Sequence, residues 1–185
     1  VEMRERVCAM VDKKAGKLLT VCTFHSLCVR ILREGIDKLG YKKNFTIYAG
    51  SDQVGLVKQL IVRKGGKDLN LDAMQVLSMI SKNKNEGLAP DYHADDLVAE
   101  IAKAYEAELR TQIAVDFDDL MVLAERLLRE HEDVRAVLQD KYRYITVDEF
   151  QDTNGLQMKL LKQLVGKPFN ICVVGDDDQS IYGWR

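Results

Sequence analysis

Two short apolar runs, Tyr144-Ile145-Thr146-Val147 and Asn170-Ile171-Cys172-Val173-Val174, each lead into acidic residues, with a helical stretch between them. Strand, helix, strand with apolar strands that do not alternate is the signature of a parallel sheet covered on both faces. Parallel neighbours need a crossover of a dozen or more residues, and Leu156, Leu160, Leu161 and Leu164 give that crossover a helical apolar stripe. A third apolar, β-branched run, Leu18 to Thr23, follows a glycine turn and is expected to be another buried strand. The chain is thereby restricted to the α/β class.

Around these strands the pattern is helical. Met3, Val7, Met10 and Val11 predict a helix over 1–14, ended by Gly16. Phe24, Leu27, Cys28, Ile31 and Leu32 share one face of a helix expected from Phe24 to Leu39, with Gly40 as its stop. From about Tyr41 to Ala114 the dominant period is again helical. Turn signals fall at Ala49-Gly50-Ser51, Gly65-Gly66 and Gly87-Leu88-Ala89-Pro90. Ser51 or Asp52 is expected to cap a helix carrying Leu56, Val57, Leu60 and Ile61. A second helix uses Met74, Leu77 and Ile80, and a third uses Leu97, Val98, Ile101, Tyr105 and Leu109. Asp116 then caps a helix with Phe117, Leu120, Met121, Ala124, Leu127 and Leu128, and a short helix follows from Glu132 to Gln139. The expected organisation is an α/β layer at both ends (1–40 and 116–185) with a helical insertion between them (41–115).

At 185 residues, 46% hydrophobic and 30% charged, the chain suits one globular domain carrying an insertion and argues against disorder. The apolar runs are too short to span a bilayer. Cys8, Cys22, Cys28 and Cys172 lack CxxC spacing, so neither a zinc site nor a disulfide framework is indicated, and a reducing, cytoplasmic location is expected. The net charge of −2 conceals an asymmetry. Residues 1–87 hold 16 Lys/Arg against 9 Asp/Glu, whereas residues 88–185 hold 11 against 20. Any nucleic-acid contact must therefore be local rather than spread over a basic surface.

The chemistry concentrates at the strand ends. In Val147-Asp148-Glu149-Phe150-Gln151-Asp152-Thr153-Asn154 an apolar strand delivers two adjacent carboxylates at its C-terminal end, where open α/β sheets bind ligands. One carboxylate there can hold Mg²⁺, and its neighbour can polarise an attacking water. Taken alone, the pair fits loop formation and helix capping equally well. The second strand runs into Gly175-Asp176-Asp177-Asp178-Gln179-Ser180-Ile181-Tyr182-Gly183-Trp184-Arg185. Gln179 offers a donor and an acceptor suited to a terminal phosphate or its attacking water. Tyr182, Trp184 and Arg185 combine ring faces with a guanidinium, which suits stacking on single-stranded bases, although aromatics are more often core anchors. Thr23-Phe24-His25-Ser26 opens a helix and could either meet backbone phosphates or simply cap it. No GxxxxGK[ST] phosphate loop occurs, and Gly65-Gly66-Lys67 does not follow a strand.

Five segments in order carry a resemblance: Val1 to Val7, Thr23-Phe24-His25-Ser26 with Leu27 to Arg33, Asp116-Phe117-Asp118-Asp119-Leu120, Asp148 to Asn154, and Val174 to Arg185. Together they resemble the UvrD/Rep/PcrA family of superfamily 1 DNA helicases, across essentially the whole chain. The first looks like the tail of motif Ia, the fourth like motif II (the Walker B element) and the fifth like motif III. The resemblance implies part of a RecA-like domain 1A lacking its P-loop strand, interrupted by the helical subdomain 1B. It implies Mg²⁺ and ATP as cofactors, with Asp148 holding the metal, Glu149 activating the hydrolytic water and Gln179 near the γ-phosphate. It places Thr23, Phe24, His25, Tyr182, Trp184 and Arg185 along single-stranded DNA, with single-strand/duplex junctions as substrates and 3′-to-5′ polarity. Motif I and motifs IV to VI fall outside these 185 residues. The expectation is a helicase fragment inactive alone, prone to self-association through an exposed sheet edge. The alternatives are a non-enzymatic single-stranded-DNA-binding or interaction module and the motor core of a helicase–nuclease.

Overall fold

The computed structural model describes residues 2–66, 71–86 and 96–179. The chain begins with two helices rather than one, α1 (Glu2–Met10) and α2 (Lys13–Leu18). Asp12 separates them because its carboxylate accepts hydrogen bonds from Lys14 N and Ala15 N at 2.8 and 2.9 Å and starts a new helix. Gly16 therefore lies inside α2 instead of ending α1. The expected strand at Leu18–Thr23 does not form. Leu18 ends α2 at 85% exposure, and the residues after it, extended at Leu19, pair with no strand among the described residues. A strand exists only through its ladder, and apolar content without a partner leaves extended coil.

The next helix, α3 (Phe24–Gly35), runs into a 3-10 turn over Ile36–Leu39, closed by Gly40 in the left-handed region at φ 77°. Cys28, Ile31 and Leu32 are fully buried, as their spacing requires. Strand β1 (Thr46–Ile47) leads to α4 (Gly50–Gly65), α5 (Ala73–Glu86) and α6 (Asp96–Thr111). The cap of α4 is Ala49, not Ser51 or Asp52. Asp52 instead sits three residues into the helix and reaches back to Ala49 N at 3.2 Å. In α5 the buried stripe is Ala73, Val76 and Ile80, and Met74 faces out at 63% exposure. These helices form one core with Leu56, Val57, Leu60, Ile101, Tyr105 and Leu109.

Strand β2 (Ala114–Val115) brings the chain back beside β1, pairing Thr46 with Ala114 and Ile47 with Val115 in parallel. The second core gathers on α7 (Phe117–Glu130), which packs against α3 and α9 and is buried through Leu120, Met121, Leu123, Ala124, Leu127 and Leu128. Gly35 lets α3 approach closely, since a Cβ there would stand 3.1 Å from Leu127 Cδ2. The remaining elements are α8 (Glu132–Lys141), β3 (Ile145–Val147), α9 (Gly155–Leu164) and β4 (Ile171–Val173). Asn154 caps α9 through Gln157 N at 2.9 Å.

β3 and β4 are parallel, with Ile145, Thr146 and Val147 opposite Ile171, Cys172 and Val173. The α/β class and the crossover helix are thus present. The expected cover over both faces is not seen among the described residues. All of β4 is exposed, and only Val147 of β3 is buried. Two strands offer too little sheet for helices to sandwich.

Candidate functional site

The acidic pair sits where β3 ends. Asp148 is exposed, and its Oδ1 accepts the amide of Glu149 at 3.1 Å, leaving Oδ2 without a partner among the described residues. Glu149 adopts φ 51° and ψ 43°, the left-handed region, where a non-glycine residue is uncommon and strained.

The two strand ends are laced together. Val174 N donates to Val147 O at 2.8 Å, and Phe150 N donates to Val174 O at 2.9 Å. Gln151 then spans the turns, its Nε2 donating to Glu149 Oε2 at 2.6 Å and its Oε1 accepting from Asp176 N at 3.1 Å. Asp176 in turn holds Gln179, whose Nε2 donates to Asp176 Oδ2 at 2.8 Å and whose backbone N–H donates to Asp176 O at 3.0 Å. Asp148, Glu149 and Gln179 thus belong to one exposed, oxygen-rich edge at the C-terminal ends of two parallel strands.

Thr23, Phe24 and His25 form a separate group at the start of α3. The Thr23 hydroxyl accepts Ser26 N at 3.3 Å, which is a helix cap. His25 is half-buried and meets Phe117 edge-on, with ring centroids 5.6 Å apart. This contact joins the Thr-Phe-His segment to the Asp-Phe-Asp-Asp-Leu segment. Tyr182, Trp184 and Arg185 lie outside the described residues.

A model of the UvrD/REP helicase N-terminal domain matches residues 1–185. The chain belongs to this family. It is 43% identical to the ATP-dependent DNA helicase PcrA of Leuconostoc citreum, 40% identical to that of Staphylococcus aureus strain Mu50 and 39% identical to that of Staphylococcus epidermidis. In each case the whole of this chain is covered and 26% of the relative. The chain therefore spans about a quarter of the length of the curated relatives it matches.

One assembly in this UvrD/REP domain was not anticipated from the sequence. Between the two cores, Lys84 of α5 places its Nζ 2.7 Å from Glu106 Oε1, 2.7 Å from Asp116 Oδ2 and 2.8 Å from Asp119 Oδ1. Tyr105 OH donates to Asp116 Oδ2 at 3.0 Å, and Asn85 Nδ2 donates to Asp118 Oδ1 at 2.8 Å. Asp116 and Asp119 also cap α7 reciprocally. Burial pushes the Asp119 carboxyl up to about 7, with Asp116 and Glu106 adding to the rise and Lys84 opposing it. The three carboxylates have the spacing to hold a metal ion, but the Lys84 ammonium already fills that position. The capping signal of Asp116 was readable in the sequence, whereas its buried cation, 32 residues upstream, was not.

Proposed function

We propose that this chain is the nucleotide- and DNA-engaging portion of an ATP-dependent 3′-to-5′ DNA helicase or translocase acting in repair or replication. The proposal divides it into a RecA-like part, 1–40 and 116–185, and a helical insertion, 41–115. The observation that carries the reading is the exposed edge where Asp148, Glu149 and Gln179 meet at the ends of β3 and β4. The relatives are named ATP-dependent DNA helicases, which supports ATP and DNA as the ligands of this edge.

Asp148 fits a Mg²⁺ ion: it is an exposed carboxylate with an oxygen unpartnered among the described residues, the hard donor that this ion takes alongside retained waters. Bound there, Mg²⁺ would offset negative charge on the nucleotide phosphates. Glu149 keeps Oε1 for the hydrolytic water while Oε2 is held by Gln151. As the water oxygen bonds to the γ-phosphorus and the bond to the β,γ-bridging oxygen breaks, Glu149 takes the water's proton. Gln179 orients toward the γ-phosphate region. Thr23, Phe24 and His25 line the single-stranded DNA together with Tyr182, Trp184 and Arg185, stacking on bases and contacting phosphates. Because these 185 residues contain no GxxxxGK[ST] loop, they are expected to show no turnover by themselves.

The test replaces the matching quarter of Leuconostoc citreum PcrA with this chain. ATP turnover is then measured with and without single-stranded DNA. Turnover that rises with DNA and is lost in Glu149→Gln is the expected result. A chimera that binds single-stranded DNA with a shallow salt dependence but hydrolyses nothing would replace the motor by a binding module.

A further inference from the structure

Gln151 is placed in the resemblance but given no role, and its geometry is specific. Its side-chain amide donates to Glu149 Oε2 at 2.6 Å and accepts from Asp176 N at 3.1 Å, while Asp176 holds Gln179 at 2.8 Å. The side-chain amide supplies one donor and one acceptor at once, and both are used here. An ionised carboxylate only accepts, a thioether does neither, and asparagine is one methylene short. The backbone opposite is shaped to the amide as well. A Cβ on Gly175 would stand 2.5 Å from Gln151 Oε1 and 3.3 Å from both Gln151 N and Phe150 N.

We infer that Gln151 is a positioning residue. It fixes the carboxylate of Glu149 and ties it to the Asp176–Gln179 turn, so that the placement of Glu149 follows the placement of Gln179. This rests on the proposed role of Glu149 in ATP turnover and adds the link by which the two strand ends act together. In this role Gln151 acts through Glu149. A misplaced general base costs on the order of 10²-fold in rate.

Two substitutions separate this role from a purely structural tie. Gln151→Glu keeps an acceptor for Asp176 N but sets a carboxylate against Glu149. Gln151→Met removes both bonds. In the PcrA chimera, kcat is expected to fall on the order of 10²-fold for both, with KM for ATP within about twofold. The thermal midpoint of the Gln151→Glu variant should stay near that of the parent. A Gln151→Glu variant with parental kcat would overturn the inference, leaving only a turn-stabilising bond.

Where either variant fails to fold, Gln151→Asn gives the same decision: loss of kcat supports the link, and parental kcat refutes it. Amide exchange at Asp176 in the 185-residue chain provides a reading independent of turnover. It should quicken in Gln151→Met and stay slow in Gln151→Glu, and no change in Gln151→Met would refute the geometry. Glu149→Gln is the control that separates the two failures. If that chimera still turns over ATP, the proposed role of Glu149 fails, whereas an inert Glu149→Gln beside a fully active Gln151→Glu removes the positioning role alone.

Discussion

Glu149 is held in a conformation that most L-residues avoid, at φ 51° and ψ 43°. The left-handed region costs such a residue about 1–2 kcal/mol. Strain of this kind persists where surrounding contacts over-determine the backbone, and here Gln151 and the β4 turn supply them. Glu149→Gly should therefore hold or raise the urea midpoint of the chain, by roughly 0.5–1 kcal/mol once the extra freedom of unfolded glycine is subtracted. Glu149→Gln should leave the midpoint unchanged. A clear fall in the glycine variant would mean that the side chain stabilises the fold more than its backbone strains it. Gly175 is the complementary case. Gly175→Ala should expel the Gln151 amide and speed hydrogen exchange at Asp176, because the new methyl meets Gln151 Oε1 and two backbone nitrogens.

At the scale of elements, α5 is fastened to α6 and α7 by one buried cation. Removing one partner of a buried charge group typically costs about 3–5 kcal/mol, so Lys84→Met should destabilise the chain by that order near neutral pH. The groups facing that ammonium are Glu106, Asp116, Asp119 and the Tyr105 hydroxyl, and the pH dependence follows from Asp119. Asp119 is raised from 3.8 to about 7 in the fold, so between those values the folded chain binds more protons than the unfolded one. Its contribution to stability therefore grows as pH falls from about 8 to about 5. The Lys84→Met defect should narrow over the same range, since Asp119 left without its cation can take up a proton. Urea midpoints at the two pH values decide both points.

The same elements show what could be read in advance. Helices with capping residues and a full apolar stripe, such as the one begun by Asp116, were legible because propensity, cap and burial agree. The segment Leu18–Thr23 was not, because a strand depends on a neighbour that its own residues do not specify. Asp148 and Glu149 were legible as a pair at a strand end. The Gln151 link was not, because a glutamine in a turn carries no pattern until the second strand is folded beside it.

For the molecule as a whole, the helical unit leaves and rejoins the rest between Ile47 and Ala114, residues on adjacent parallel strands. The other sheet stays open. β3 has no strand partner beyond β4 among the described residues, and Ile171, Val173 and Val174 are 40%, 48% and 51% exposed. An unpaired strand edge beside exposed apolar side chains is a template for pairing with a second copy. Sedimentation of the chain should therefore show association that increases with concentration and weakens in Ile171→Thr with Val173→Thr. A monomer at all concentrations would remove that expectation.

Cys172 stands between those two residues and points to the opposite face of the same strand, exposed and without a disulfide partner. Cys28 is buried and its thiol is pushed up to about 12, chiefly by burial, which makes it a poor nucleophile. With Cys22, the other exposed thiol, changed to serine, a maleimide would label Cys172 ahead of the half-buried Cys8. The open sheet thus carries its own chemical gauge: the labelling rate at one sulfur records, in real time, whether anything has come to lie across that face.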